Sequence, residues 1–383
     1  MKNCQICNQN NWQMLPDPHP TQSVTTAGVI IQQPLNKAFC FTCGFTQRGS
    51  IEWLAFSKYY EGQYENYYNR PGTEKYHEAR YVAIVEWMSD FIDPDKHHTA
   101  LDVGCGQGWA MKILKKKFPH MEVKGLEPSG YNSIYAKNLG FDVYEGRLND
   151  HFEKMGQFDL VFSNNVIQHV DDAYDFLMQL KSLVKPNGIL IITSPDGSIP
   201  NIEMLWSDQN YSFLPSNFIA LAQRAGFTIL DCSRSPVSKA LPHAIRLVLS
   251  LNETDKPVVN SDIKNDSLDV IYSHKKNYLD ALAKQNYYLS EMTSQFDKVF
   301  NFGSSYWTSI LAGYAPEYWS KVEACIIDDG DTENLFMGKK VLLNNEVNRG
   351  INDAIIIGVN PDIQKTIKDR LSKQWNHVLT WTL

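Results

Sequence analysis

The stretch of sequence that decides the fold reads Leu101-Asp102-Val103-Gly104-Cys105-Gly106-Gln107-Gly108. The apolar residues before the first glycine are typical of a buried strand, and a helical pattern begins at Trp109. Glycines between a strand and a helix allow a ligand to approach the backbone closely, and nucleotide-like ligands bind at this edge of open α/β sheets. The stretch therefore predicts a ligand-binding turn at the end of the first strand of such a sheet.

Helical and extended patterns alternate around this turn. Strands are predicted at 99–103, 123–126, 142–144, 158–163, 189–193, 228–232 and 244–250, and helices at 79–91, 109–118, 173–184 and 217–225. Alternation of this kind is typical of a mostly parallel sheet with helices on both faces. The sequence therefore predicts an α/β core over residues 81–252.

The N-terminal region carries two C-x2-C pairs, formed by Cys4, Cys7, Cys40 and Cys43. Two thiolates on each of two tight turns can converge on one tetrahedral Zn2+. A closed shell of four cysteines leaves no open position for catalysis, so such a site would be structural. We predict a zinc site here, with a redox pair or separate surface thiols as the alternatives.

The length of 383 residues exceeds what one hydrophobic core normally organises, which is roughly 250 to 300 residues. Beside the core, the sequence predicts a zinc-binding module at 1–50, a tyrosine-rich segment at 51–80, a linker and a long helix (268–296) within 253–297, and a C-terminal α/β domain at 298–383. The tyrosine-rich segment would cover the substrate side of the core. Ordinary core packing is the alternative for that segment.

Composition and charge restrict the partners. A hydrophobic share of 43% and a charged share of 21% are typical of folded globular proteins. The net charge of -7 disfavours nucleic acid as a partner, because phosphate backbones bind to basic surfaces. No apolar run approaches the ~18 residues of a membrane span, and no secretory leader pattern is found. We therefore predict a cytoplasmic protein without a membrane partner.

The glycine spacing after the first strand and an acid after the second strand indicate the kind of cofactor. Dinucleotide binders use G-x-G-x-x-G to place a pyrophosphate at a helix N-terminus, whereas this turn has the spacing G-x-G-x-G. S-adenosylmethionine (SAM) has no phosphate to place. Glu127, followed by Pro128, lies 23 residues after Gly104, where a carboxylate can accept hydrogen bonds from both ribose hydroxyls. We predict a SAM site, with a structural turn and a surface acid as the alternative.

Polar residues follow the predicted strand at 158–163. Asn164 and Asn165 at its carboxyl end would be costly to bury without partners, so we expect them to face the binding site. His169 lies just beyond, where an imidazole can accept a proton from a nucleophile near the methyl group of the cofactor. A histidine with a purely structural hydrogen bond is the alternative. Further candidates for catalysis or substrate contact are Tyr76, His77 and Asp208.

These segments, together with Gly-Leu-Glu-Pro-Ser at 125–129, resemble the class I SAM-dependent methyltransferases. More narrowly, the chain is similar to three-domain sugar C-methyltransferases, which methylate nucleotide-linked deoxysugars. The similarity is carried by the order of the two cysteine pairs, His77-Glu78-Ala79-Arg80, the glycine turn, Glu127-Pro128, Asn164-Asn165-Val166 with His169, and a C-terminal α/β unit.

The resemblance implies a Rossmann-like methyltransferase core between a small zinc-binding domain and a C-terminal α/β domain. It implies roles for the residues that match the family motifs: cofactor binding by Asp102, Gly104, Gly106 and Glu127, with Gln107 and Pro128 beside them, contact with the methionine part of SAM by Asn164, and contact with the substrate by His169.

One departure from the family changes the expected chemistry. The family carries a His-Glu-His run that supplies acid–base groups for removing a proton from a sugar carbon. Here that place is taken by Trp206-Ser207-Asp208-Gln209-Asn210, in which Asp208 is the one plausible base. We therefore predict methyl transfer to an oxygen or another heteroatom of a small polar acceptor, such as a sugar or nucleotide-sugar. Sugar C-methylation, RNA methylation through the zinc module, and a non-enzymatic binding role on the same fold are the alternatives.

Overall fold

The computed structural model describes residues 2–49, 74–235, 243–252, 266–330, 332 and 335–383, without the side chains of 74–76 and 151–153. Most of the predicted tyrosine-rich cover at 51–80 lies outside these residues. Residues 253–265, which belong to the predicted linker, also lie outside them.

The N-terminal segment folds into five short strands. They are β1 (Trp12–Met14), β2 (Ser23–Val24), β3 (Ile30–Ile31), β4 (Lys37–Cys40) and β5 (Thr46–Arg48). The strands β1, β4 and β5 form one antiparallel sheet, and β2 pairs with β3 beside it. Strand β4 ends at Cys40 and β5 begins at Thr46, so the second cysteine pair lies where the turn that joins these two strands begins.

The central domain confirms the predicted α/β core. Its helices are α1 (Glu74–Ser89), α2 (Trp109–Lys117), α3 (Gly130–Asn138), α4 (Leu148–Met155), α5 (Ala173–Ser182) and α6 (Pro215–Arg224). Its strands are β6 (Thr99–Val103), β7 (Glu122–Glu127), β8 (Asp142–Glu145), β9 (Phe158–Asn164), β10 (Val184–Pro195), β12 (Thr228–Arg234) and β13 (Ala244–Ser250). The sheet order is β12-β13-β10-β9-β6-β7-β8, and β13 is antiparallel to its two neighbours.

Strand burial explains why these segments form the middle of the sheet. Leu101 of β6, Val161 of β9 and Ile191 of β10 are fully buried, as expected for parallel strands that have helices on both faces. The strand β6 lies between β7 and β9. The chain therefore first adds β7 and β8 on one side of β6 and then adds β9 and β10 on the other side. Such a switch point leaves a crevice at the carboxyl ends of the strands, which is where ligands bind in open α/β sheets.

The N-terminal sheet takes its fourth strand from the central domain. Strand β11 (Tyr211–Ser212), which lies between β10 and α6 in sequence, pairs with β5 and completes a four-stranded sheet with β1 and β4. Phe45 packs against Tyr211 and Phe213 in the same core as the central domain. A two-residue strand has no periodic pattern, so the sequence could not indicate this pairing.

The C-terminal region forms a second parallel sheet. Its strands β14 (Val299–Phe302), β15 (Val322–Ile327), β16 (Lys340–Leu343), β17 (Ala354–Ile357) and β18 (His377–Leu379) are ordered β16-β15-β14-β17-β18. The helices of this region are α9 (Tyr306–Tyr314), α10 (Pro316–Lys321) and α11 (Gln364–Leu371). Helix α9 packs on the N-terminal strand β2, so the three parts of the chain share one core.

The single long helix predicted at 268–296 is wrong, because two helices occupy this range. They are α7 (Leu268–Ala283) and α8 (Gln285–Thr293). At the junction, the side-chain amide of Gln285 donates hydrogen bonds to the carbonyls of Ala281 and Thr382. The Ala281 carbonyl is the acceptor that a continuous helix offers to the N–H four residues later. Among the helices of the described residues, none has both the length and the apolarity that crossing a bilayer requires.

Candidate active site

The glycine-rich turn after β6 has a backbone that only glycine adopts easily. Gly104, Gly106 and Gly108 have positive φ angles of 79°, 54° and 83°. A Cβ atom at Gly104 would lie 2.3 Å from a Val166 methyl group, whereas a Cβ atom at Gly106 would meet no atom within 4 Å. The turn therefore packs tightly against the segment after β9 on one side and is open on the other side, where a ligand can approach.

Glu127, the last residue of β7, is held against this turn. Its two carboxylate oxygens accept hydrogen bonds from the backbone N–H groups of Gly106 at 2.8 Å and Ser129 at 2.9 Å. Burial raises the pKa of Glu127 to about 7. The Asn132 side chain also hydrogen-bonds to Glu127. Two carboxylate oxygens offer about four acceptor positions, so the group can still accept from a ligand while it orders the turn.

A cavity of about 410 Å³ begins at the turn and follows the carboxyl ends of β6, β7 and β9. Gln107, Pro128 and Asn164 line it. The buried side-chain nitrogens of Gln107 and Asn164 have no hydrogen-bond partner among the described residues. Two unpartnered amide donors beside a carboxylate fit a ligand that carries both acceptors and hydroxyl groups, as the methionine and ribose parts of SAM do.

Asp102 lies behind the turn, on β6, and it does not line the cavity. One of its carboxyl oxygens has no hydrogen-bond partner among the described residues. Burial first, and then the charge of Glu127, raise the pKa of Asp102 well above its usual range. Without a neighbouring positive charge both acids therefore tend toward their neutral forms, and a cation bound nearby would lower their pKa values and favour the carboxylates.

His169 also lines the cavity, from the segment after β9. Its Nδ1 atom is 2.7 Å from the backbone carbonyl of Asp208. A carbonyl oxygen can only accept, so Nδ1 carries the proton and donates it, and the neutral ring has Nε2 as its acceptor nitrogen. Burial lowers the pKa of His169 below its usual 6.5, which favours this neutral form. These two features suit a proton acceptor.

The remaining predicted substrate residues have different positions. His77 is buried in α1, lines the cavity and stacks on Trp109 with ring centroids 6.1 Å apart. Tyr76 belongs to the same helix, and its side chain is outside the described residues. Asp208 lines the cavity, yet its two carboxylate oxygens accept hydrogen bonds from the N–H and the hydroxyl of Thr26.

Glu203 and Tyr306 are among the cavity residues that the sequence did not indicate as candidates. Glu203 lines the wall near Arg80, and burial raises the pKa of Glu203 to about 7. Trp206 and Tyr306 form an edge-to-face pair with centroids 5.3 Å apart. Tyr306 begins α9 of the C-terminal domain, so its approach depends on a contact between distant parts of the chain. No local sequence signal could have indicated it.

The four cysteine thiols converge at one place. Their sulfur atoms all lie within 4.8 Å of one another, and the Cys4–Cys43 and Cys7–Cys40 pairs are 3.6 Å apart. A tetrahedral Zn2+ with Zn–S bonds of about 2.3 Å places its sulfurs about 3.8 Å apart. The two C-x2-C segments have the same backbone hydrogen bond. The N–H of Asn8 donates to the carbonyl of Cys4, and the N–H of Gly44 donates to the carbonyl of Cys40. The donor set and its spacing therefore fit one tetrahedral metal ion.

Comparison with known proteins gives the class of the central domain. Residues 75–231 match a family model described as a methyltransferase domain. A tRNA U34 carboxymethyltransferase from Pseudoalteromonas translucida is 33% identical over 124 residues, covering 28% of this chain and 37% of that protein. A ubiquinone biosynthesis O-methyltransferase from Rhodopseudomonas palustris is 32% identical over 102 residues, covering 24% of this chain and 38% of that protein. This chain thus spans well under half the length of these two relatives.

Among solved structures, a SAM-dependent methyltransferase from Thermotoga maritima, a possible histamine N-methyltransferase, superposes with a TM-score of 0.40 and 17% identity, over 52% of this chain and 100% of that one. The family match and the topology of the sheet identify residues 75–231 as a class I SAM-dependent methyltransferase domain. The predicted class of enzyme is thereby confirmed for this domain.

Proposed function

We propose that this protein transfers a methyl group from SAM to an oxygen of a small polar acceptor, such as a sugar or nucleotide-sugar. The observation that carries the proposal is the single cavity that joins the glycine turn and Glu127 to His169. When bound, SAM supplies an electrophilic methyl group on a positively charged sulfur. The protein has to hold the acceptor in line with that methyl group and remove the proton of the acceptor hydroxyl.

Cofactor binding is proposed for the residues around the turn. Glu127 would accept hydrogen bonds from the two ribose hydroxyls, and Pro128 follows it at the rim of the cavity. Gln107 and Asn164 would donate to the methionine part through their unpartnered amide nitrogens. Behind the turn, which includes Gly104 and Gly106, Asp102 would favour the positive charge of the ligand.

Proton removal is proposed for His169. An acceptor hydroxyl needs only one neutral base, because its oxygen lone pair already points at the methyl group. A sugar carbon would need a stronger base and a group that stabilises the resulting enolate. The Nδ1 proton of His169 is bound by a carbonyl, which makes Nε2 the basic nitrogen of the ring, whereas both carboxylate oxygens of Asp208 accept hydrogen bonds from Thr26. The O-methyltransferases among the matched relatives agree with an oxygen acceptor.

A saccharide suits the lining of the cavity outside the turn. That lining combines carboxyl and amide groups with the aromatic pair Trp206 and Tyr306, and His77 of α1 belongs to it as well. The test is to incubate the protein with SAM carrying a 13C-methyl group and a panel of nucleotide-sugars, and to locate the label by NMR. A methyl group on oxygen is expected. A product with the methyl group on carbon would support the C-methyltransferase alternative instead.

RNA is a second candidate acceptor, because one matched relative is a tRNA U34 carboxymethyltransferase. The net charge of -7 argues against it. Incubation of the protein with tritiated-methyl SAM and total tRNA distinguishes the two acceptors. Label in the RNA fraction that is lost after His169→Ala would support RNA, and its absence together with a methylated saccharide would support the first proposal.

The four-cysteine cluster is proposed to hold structural zinc, which would link β4 to the N-terminal turn. We expect metal analysis to find about one Zn2+ per chain, because a closed thiolate shell binds zinc tightly. Cys40→Ser is expected to lower both the zinc content and the melting temperature. Cys232→Ala, which removes a buried thiol outside the cluster, should keep the zinc. Full stability of the metal-free protein would rule out a structural metal.

Cofactor affinity is expected to depend on pH through Glu127. Burial raises the pKa of Glu127 to about 7, so without ligand the carboxylate takes up a proton as the pH falls through that value. A protonated carboxyl accepts hydrogen bonds poorly, so the affinity for SAM should fall by up to about tenfold per pH unit below pH 7. Calorimetry between about pH 5.5 and 8 measures this. Glu127→Gln should bind more weakly with no such dependence, and a flat wild-type profile would contradict the role of Glu127.

A further inference from the structure

The orientation of His169 depends on a segment that has little regular structure of its own. The carbonyl that accepts the proton of Nδ1 belongs to Asp208, between a short 3-10 turn (Ile202–Leu205) and β11. The Asp208 side chain is 2% exposed, so the segment is buried. A loop that fixes a reacting imidazole has to be held by other parts of the molecule.

Two buried cations of the N-terminal sheet bind the backbone of this segment. Lys37, the first residue of β4, donates from Nζ to the carbonyl of Met204 at 2.6 Å. Arg48, the last residue of β5, donates to the carbonyls of Ser207 and Leu35. Lys37 and Arg48 are direct partners across the sheet, and each is 4% exposed. Each cation therefore satisfies a carbonyl that would otherwise be buried without a donor.

Thr26 completes the attachment at Asp208 itself. Its N–H donates to one carboxylate oxygen at 2.9 Å and its hydroxyl to the other at 2.5 Å. The backbone N–H of Ser207 also donates to the carbonyl of Val24. Charge-assisted hydrogen bonds to both oxygens fix the direction of a carboxylate side chain, and with it the backbone that carries the carbonyl.

Placing cations here is costly. Burial first, and then the charges of Arg48 and Lys275, lower the pKa of Lys37 well below its usual range. An apolar residue would fill the same space without that cost, so stability alone does not explain a lysine at this position. The contact with the Met204 carbonyl is what an apolar side chain could not make.

We propose that Thr26, Lys37 and Arg48 are positioning residues that hold the Asp208 carbonyl at Nδ1 of His169 and thereby fix Nε2 as the proton acceptor. The role of these three residues in the reaction rests on the proposed function. It gives the N-terminal sheet a role beyond metal binding. It also gives Asp208 a positioning role rather than that of a base.

The tautomer of His169 tests the proposal without any acceptor. In the full-length zinc-bound protein with 15N-labelled histidine, at about pH 8 where the ring is neutral, NMR distinguishes protonated from unprotonated ring nitrogens. The His169 signals are those that His169→Gln removes. The wild type should carry its proton on Nδ1. Thr26→Val and Lys37→Met should shift a measurable fraction of His169 to the Nε2-protonated form. Lys37→Arg, which keeps a hydrogen-bond donor, should have a spectrum closer to that of the wild type than Lys37→Met has.

A matched control separates this effect from general destabilisation. Lys115, an exposed residue of α2, donates from Nζ to the carbonyl of Met121 at 2.8 Å, so its replacement removes the same kind of lysine–carbonyl contact at the surface of the central domain. Lys115→Met should leave the His169 tautomer unchanged. Amide hydrogen exchange in the same proteins should be roughly tenfold or more faster at residues 204–210 in Lys37→Met and unchanged at 104–109.

The inference is overturned if the folded Thr26→Val and Lys37→Met variants keep both the wild-type tautomer and the wild-type exchange at 204–210. It is also overturned if Lys115→Met changes the tautomer as much as they do. Both readouts are independent of turnover. Failure of the proposed function, seen as full turnover after His169→Ala, is therefore distinguishable from failure of this inference.

Discussion

His169→Ala is expected to lower methyl transfer by ~10²- to 10⁴-fold, which is the range for loss of a positioned general base. The imidazole has its Nδ1 proton bound by the Asp208 carbonyl, and burial lowers its pKa, so the neutral ring with Nε2 as its basic nitrogen is favoured. The measurement is the turnover number with the acceptor found in the labelling experiment. Affinity for SAM, measured by calorimetry, should change little because His169 is not among the residues proposed to bind the cofactor.

The control is another histidine. His120 lies on the surface between α2 and β7, so His120→Ala should keep wild-type turnover. At saturating SAM, the wild-type turnover number should rise with pH through a pKa below 6.5 and then stay level, because the base is active only in its deprotonated form. That acidic limb should be absent in His169→Ala. Near-normal turnover of the variant would show that another group removes the proton.

Glu127→Ala is expected to weaken SAM binding by roughly 1.5 to 3 kcal/mol, about ten- to a hundredfold in Kd. The substitution removes the acceptor for two ribose hydroxyls. It also removes the partner of the Gly106 and Ser129 N–H groups, so the turn loses the contact that orders it. Isothermal calorimetry with SAM or its demethylated product, S-adenosylhomocysteine, gives the affinity directly.

Glu122→Ala provides the matched control for this experiment. Glu122 is an exposed acid at the opposite end of the same strand, where it pairs with Lys124 on the surface. It should leave the affinity unchanged, since surface ion pairs contribute little. Equal affinity of Glu127→Ala and wild type would remove Glu127 from the cofactor site. Preferential binding of NAD over SAM would contradict the nature of the cofactor itself.

The fold of the central domain could be predicted because its signals are local. The strands β6, β9 and β13 are short apolar runs, and a glycine turn follows the first of them. The predicted ranges agree with the observed strands to within one or two residues there. The pairing of β11 with β5 had no such signal, because it joins residues about 165 positions apart through only two residue pairs.

The residues of the candidate site also fall into those with a local sequence signal and those without one. The turn and Glu127 are each marked by residue type at the end of a strand, so their meeting follows from the parallel sheet. The fixed tautomer of His169 depends on Asp208, and Asp208 depends on Thr26. Tyr306 reaches the cavity only because α9 packs on the N-terminal strands. Contacts of this kind are set by how the three parts of the chain pack together, which no local pattern encodes.

The most direct test of the central claim is a crystal structure of the protein grown with S-adenosylhomocysteine. The account predicts the ribose hydroxyls at the Glu127 carboxylate, the amino-acid part against the amide groups of Gln107 and Asn164, and the sulfur facing the half of the cavity that contains His169. Binding at another surface, or a cavity that excludes the ligand while the protein remains folded, would contradict it.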